Sequence, residues 1–231
     1  MKVAIVSCVW KRPEVFEMFA KGVKHLIANS KLEFVVIISG SEGDTSRNMV
    51  EKHGFIYVEM PNDQLAVKAN QPVLIAKDYG IDYILAVGSD DIITPELMRL
   101  YEYQMKKGID YIAVLDFYFY DTTSGRASYW GGYLEDYRKG HACGAGRMMS
   151  KKLLDKWDWQ PWSSKHNKVL DTSIQEKLKA TEHTESIFSI KEKGVYALDI
   201  KSSTNMTPFA HWPNTELIDP EIIKKEFHYI F

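Results

Sequence analysis

Two adjacent carboxylates, Asp90 and Asp91, follow Ser89 directly after the apolar run DYILAVG (82–88). Side by side they repel, and a hard divalent cation relieves that repulsion while binding oxygen ligands. Mg2+ or Mn2+ held by one or two carboxylates usually fills its shell with phosphate oxygens and water. The same pair can instead cap the next helix, since Asp91 lies just before Ile92, Ile93 and Thr94. Asp171 opens the helical pattern in VLDTSIQEKL (169–178), where capping alone accounts for an Asp. The glycine-rich run HACGAGRMMS (141–150) precedes a helix. Its backbone amides can approach a diphosphate closely, with Gly144 and Arg147 the candidates, or it is a turn ending in a Ser150 N-cap. Cys143 beside His141 offers a nucleophile and base, although a buried inert thiol is commoner. The string WDWQPW (157–162) offers faces for sugar stacking at Trp162, while Trp157 and Trp159 fit core packing better.

These groups need a scaffold, and the first half supplies a regular one. VAIVS (3–7), FVVIIS (34–39), FIYVEM (55–60) and DYILAVG (82–88) read as strands. Between them lie helical stretches. One opens at Arg12 and Pro13, with Val15, Phe16, Phe19, Val23 and Leu26 on one face. A second is capped by Asp44 or Thr45 and ended by Gly54. A third, within Leu65 to Tyr79, contains Pro72, which predicts a kink or a helix starting there. Thr94 and Pro95 open a fourth. Alternation of this kind predicts an α/β chain with a mostly parallel sheet covered on both faces, and ligands then bind beyond the carboxyl ends of its strands. There the first strand delivers Ser7 and Arg12, suited to holding a nucleotide, and the second delivers Gly40, Glu42 and Asp44, whose acids suit a ribose or base. Lys68 and Asn70 lie on the stretch before the acidic pair.

The second half breaks the rhythm. YIAVLDFYFY (111–120) and RASYWGGY (126–133) read as a hairpin across DTTSG. Helical patterns at Ser150 to Trp157 and Asp171 to Ala180, strands near Ile187 and at Val195 to Ile200, and a helix from Pro220 complete the reading. One domain over 1–231 is the economical organisation.

Composition excludes several classes. At 231 residues, 45% hydrophobic and 13% aromatic, the chain is neither disordered nor low-complexity. A formal charge of −2 gives no bulk attraction to nucleic acid or anionic membrane. Two cysteines make no disulfide framework, which fits a reducing cytosol, and no apolar run is long enough to cross a bilayer. The expectation is a cytoplasmic protein. P-loop, GxGxxG, GxSxG and HExxH motifs are absent from the sequence.

The order of a first strand, an acid after the second, the segment LAVKANQPVLIAKDYGIDYILAVGSDD and its terminal acids resembles the GT-A glycosyltransferases, particularly the family 2-like branch. SDD stands where that family carries DxD, and Leu170-Asp171 where it usually has Glu-Asp. The resemblance implies a GT-A fold with a nucleotide-binding half at 1–107 and an acceptor-binding half at 108–231. It further implies a nucleotide-diphosphate sugar donor, and Mn2+ or Mg2+ held by Asp91 with Asp90. His211 of FAHW would be a further metal ligand, or a packed residue. Ser7, Arg12, Gly40, Glu42, Asp44, Lys68, Asn70, Ser89, Asp90, Gly144 and Arg147 would hold the donor, and Trp162 the acceptor. Asp171 looks like the general base of an inverting transfer. The acceptor stays open between a glycan, a protein and a modified nucleic-acid base. Alternatives are a sugar nucleotidyltransferase, which wants a glycine-rich basic loop after the first strand, and a non-catalytic nucleotide- or glycan-binding member.

Overall fold

The computed structural model describes residues 1–163, 170–205, 209 and 213–231. The expected leading strands are β1 (Lys2–Cys8), β2 (Glu33–Gly40), β3 (Ile56–Glu59) and β4 (Tyr83–Ala86). All pair in parallel, with β1 between β2 and β4 and β3 outside β2. The chain builds outward through β2 and β3, then returns to place β4 on the other side of β1. That reversal is a topological switch point, where the ends of neighbouring strands leave a crevice. Helices α1 (Pro13–Ala28), α2 (Asp44–Glu51) and α3 (Leu65–Ala76) make the crossovers. Both faces of β1 are covered, Val3 and Ile5 packing with α1 residues, Ala4 and Val6 with α3 residues. Hence its residues are apolar without alternation.

Two local expectations change: a helix start at Pro72, and a cap by Asp44 or Thr45 on α2. Pro72 neither opens α3 nor ends it. It has no N–H for the carbonyl of Lys68 four residues back, but Ser39 Oγ donates to that carbonyl at 3.0 Å, so the lost bond is replaced from β2. At α2 the N-cap is Gly43, at φ 54°, and Asp44 lies inside the first turn.

The remaining elements are β5 (Asp91–Ile93), α4 (Pro95–Lys106), β6 (Tyr111–Val114), β7 (Phe117–Asp121), β8 (Ala127–Trp130) and β9 (Arg147–Ser150). After them come α5 (Lys151–Lys156), α6 (Leu170–Lys179), β10 (Glu185–Phe188), α7 (Ile190–Lys193), β11 (Ala197–Lys201), β12 (Thr215–Ile218) and α8 (Pro220–Glu226). A seven-stranded sheet runs β10-β6-β9-β4-β1-β2-β3, with β9 antiparallel to both neighbours, and a second sheet runs β12-β8-β7-β11-β5. This is the expected mixed α/β domain with antiparallel additions.

The run at 111–120 is two strands in different sheets, separated at Leu115 and Asp116. Asp116 is buried and accepts from Tyr129 Oη (2.7 Å), Ser189 Oγ (2.6 Å) and the amide of Ile190 (2.7 Å). A carboxylate with that many partners stops one strand and anchors α7. The hairpin is therefore β7 with β8 alone. On α8, Ile223 is buried, as are Phe227 and Ile230 just after it. No helix among the described residues is long and apolar enough to cross a membrane.

Candidate active site at the ends of β1 and β4

The pairing of Val6 with Ala86 brings the exits of β1 and β4 side by side. A cavity of about 270 Å3 opens there. From β1 it receives Ser7 and Cys8, from the start of α1 Arg12, and from the end of β4 Ser89, Asp90 and Asp91. Its other walls carry Gly144, Arg147, Trp162 and Asp171, together with Lys201 and Asn205.

The acidic pair is not a helix cap. Thr94 caps α4, its Oγ1 accepting from the amide of Leu97 at 3.3 Å, while Asp91 opens β5. Asp91 Oδ2 accepts from the amide of Gly88 at 2.6 Å, and the Asp91 amide donates to Gly88 O at 3.1 Å. A Cβ on Gly88 would sit 2.5 Å from Asp90 Oδ1 and 2.6 Å from Asp91 Oδ2, so only glycine lets both carboxylates fold back over the turn. Asp90 Oδ2 accepts from Arg12 Nη1 (2.6 Å) and Asn205 Nδ2 (2.7 Å).

A third acid joins them from β11, whose Asp199 stands opposite Asp91 in the strand pairing. Asp199 binds the Lys201 ammonium at 2.5 Å. Burial, with repulsion from Asp90 and Asp199, pushes the Asp91 carboxyl well above its usual range. Burial likewise raises Asp199, to about 6, against the pull of Lys201. Three carboxyls, Asp90, Asp91 and Asp199, thus lie close together, with Arg12 on Asp90 and Lys201 on Asp199 as their cationic partners. Asp90 and Asp91 are the candidate ligands for a hard metal ion.

Several polar groups around this cavity are buried without a partner among the described residues: Ser7 Oγ, Ser89 Oγ, Arg12 Nε and Arg147 Nε. Buried polar atoms are normally satisfied, so a group of orphans around one cavity marks a place where a polar ligand completes the bonding.

Asp171 is half-buried in the first turn of α6, and its carboxylate is directed away from capping. Oδ1 meets Arg147 Nη2 at 2.9 Å; Oδ2 accepts from Tyr133 Oη at 3.0 Å and lies 3.6 Å from Arg138. Burial alone would raise this carboxyl, but the Arg147 charge and these hydrogen bonds hold it below the usual carboxylate range. A Cβ on Gly144 would lie 3.1 Å from Asp171 Oδ1, so this glycine gives the carboxylate room.

Other sequence candidates lie elsewhere. Gly40, Glu42, Asp44, Lys68 and Asn70 do not line the cavity. Glu42 accepts from the amide of Lys11 at 2.8 Å, and Asp44 is fully solvent-facing. Gly40 is packed so closely that a Cβ would meet Ser46 at 2.7 Å. Lys68 is buried and donates to Val9 O at 2.9 Å. Asn70 clamps the backbone of Trp162, donating to its carbonyl at 2.6 Å and accepting from its amide at 3.1 Å. Trp162 lines the cavity itself, whereas Trp157 and Trp159 are core residues. His211 lies outside the described residues. Cys143 is buried, donates to Ala145 O at 3.5 Å and is raised by burial, so it is no nucleophile here. Sequence reasoning missed Asp199, Lys201 and Asn205. The signal was ALDIK (197–201), where Asp and Lys two apart share one face of an otherwise apolar strand.

The sequence matches no protein-family model and no curated protein sequence. Among solved structures, S. aureus TarS (residues 1–349) aligns with a TM-score of 0.61 and 16% identity over 87% of this chain. The chain spans about 60% of that fragment's length. The same fragment in complex with UDP-GlcNAc gives 0.59 and 15%, covering 89% of this chain and 60% of the fragment. 4-Diphosphocytidyl-2C-methyl-D-erythritol synthase from Anaerococcus prevotii gives 0.51 and 12%, covering 81% of this chain and 86% of that one. At these identities the likeness establishes the fold, which is GT-A-like.

Proposed function

We propose that this chain is a glycosyltransferase that takes a sugar from a nucleotide-diphosphate donor held in the cavity between β1 and β4. The observation that carries this reading is the set of orphaned buried atoms, Ser7 Oγ, Ser89 Oγ and the Nε atoms of Arg12 and Arg147, around a switch-point crevice that also holds Asp90 and Asp91. Their chemistry suits an anionic, hydroxyl-rich ligand. The complex of TarS with UDP-GlcNAc supports a UDP-sugar as the first donor to try.

A Mg2+ or Mn2+ ion fits the donor set. Asp90 and Asp91 offer hard oxygens, and their crowding with Asp199 favours an added cation. No three His, Cys, Asp or Glu side chains among the described residues form a metal-holding group, so phosphate and water would have to supply the rest of the ion's shell. When bound, the ion would supply charge neutralisation for the diphosphate leaving group.

The chain's own residues do the rest. Arg12 and Arg147 bring positive charge to the cavity and favour the diphosphate. Asp171, kept ionised by Arg147, accepts the proton of the acceptor hydroxyl as its oxygen bonds to the anomeric carbon. The bond from that carbon to the diphosphate breaks, and its electron pair leaves with the diphosphate. Attack from the face opposite the leaving group inverts the anomeric centre.

The test is a thermal-shift and donor-hydrolysis screen of nucleotide sugars with Mn2+, comparing wild type with Asp91→Ala. Stabilisation by UDP or GDP with the metal, and hydrolysis lowered about 10²-fold or more by Asp91→Ala, is the expected result. Stabilisation by CTP or a sugar phosphate alone would point to nucleotidyl transfer, and no response in either protein would end the proposal.

A further inference from the structure

A second cavity, of about 260 Å3, shares Asp171 with the first. One wall is α6, which presents Thr172, Gln175, Glu176 and Lys179 at helical spacing on a single face. The other is the segment carrying Tyr137, Arg138 and His141. A group shared by two cavities is where a proton can pass from a molecule in one while the bond is made to a molecule in the other.

The electrostatics of this second cavity are unlike those of the first. Of its two acids, Asp171 is already answered by Arg147 at 2.9 Å, and Glu176 is itself engaged. Arg138 lies 3.6 Å from Asp171 with its guanidinium stacked 3.5 Å over the Tyr133 ring, which fixes its position. Lys179, exposed in the last turn of α6, has no ion-pair partner among the described residues. Burial, then the charges of Lys179 and Arg138, lower the His141 pKa, leaving a neutral ring able to accept a hydroxyl hydrogen bond. Tyr137 is 75% exposed at this cavity and offers an apolar ring face.

We propose that this cavity takes the acceptor, and that the acceptor carries a phosphate or carboxylate close to the attacked hydroxyl, held by Lys179 and Arg138. The inference rests on the first cavity being the donor site. It narrows the acceptor from any hydroxyl compound to an anionic one.

The test is an NMR titration of the full chain saturated with UDP and diamagnetic Mg2+, so that the first cavity is filled. Inorganic phosphate, acetate and uncharged glycerol are the probes, and the phosphate and acetate arms distinguish the two kinds of anion. At least one anion should shift the amide signals of residues 137–142 and 172–179, and glycerol should shift them less. Lys179→Glu, at an exposed position where the thermal melt should stay near wild type, should weaken that titration about tenfold. Equal response to glycerol, no response to either anion, or an unchanged titration in Lys179→Glu would overturn the inference while leaving the donor assignment standing. If UDP itself fails to shift Ser7 and Arg12, the donor assignment falls and the acceptor assignment falls with it.

Discussion

The two cavities that meet at Asp171 differ in how their charge is arranged. In the first, Asp90, Asp91 and Asp199 crowd together with Arg12 and Lys201 against them, and buried donors stand without partners. In the second, Arg138 and Lys179 face a space whose acids are already engaged. On the proposed function, the first takes the donor diphosphate with its cation and the second takes a ligand without a metal. Asp171 belongs to both and is tuned by Arg147, which reaches it from β9.

The sharpest way to break this comparison is Asp171→Asn. Transfer should fall about 10²- to 10⁴-fold while donor binding, read by calorimetry, persists. Retained transfer would reduce Asp171 to a structural residue and remove the link between the cavities.

Arg147→Gln should have the next largest effect, on the pH profile. Because the Asp171 carboxyl is depressed, it stays ionised until pH falls through its lowered pKa, so the acid limb of the rate profile lies below the usual carboxylate range. Without Arg147, burial dominates, the pKa rises and the limb moves to higher pH. A depressed carboxyl also adds stability above its unfolded pKa that is lost as pH falls through the folded one. The variant should therefore lose acid-dependent stability along with activity. An unmoved limb would mean that Asp171 is not the titrating base.

Two smaller changes probe contacts behind the first cavity, the clamp on Trp162 and the bond that stands in for the missing N–H of Pro72. Asn70→Ala leaves the backbone of Trp162 without its clamp and should cost about 1–3 kcal/mol in denaturant unfolding, with weaker donor binding. Ser39→Ala leaves Lys68 O opposite Pro72 without its donor and should cost about 1 kcal/mol. Pairing Ser39→Ala with Pro72→Ala should recover part of that loss, because an amide returns to the helix.

Much of the scaffold was legible because continuous apolar runs ending in glycine or polar residues specify buried parallel strands, as at VAIVS and DYILAVG. The acidic pair was legible for the same reason: it follows such a run directly. What could not be read was pairing across distance. β9 hides in a glycine-rich segment and becomes a strand only between β4 and β6. Asp199 and Lys201 reach the site because β11 lies beside β5, a pairing separated by about a hundred residues. Glu42 and Asp44 followed the right strand but sit where β2 leads into α2, beyond the crevice between β1 and β4. Asn70 has the chemistry of a ligand-binding amide, and only the fold reveals that it holds Trp162 instead.

A crystal structure of the chain with a nucleotide-diphosphate sugar and Mn2+ tests the central claim most directly. The account predicts the diphosphate in the cavity between β1 and β4, with Arg12 and Asp91 within bonding reach of the phosphate and metal, and the sugar directed toward Asp171. A donor bound elsewhere, or a diphosphate with no contact to Arg12 or Asp91, would contradict it.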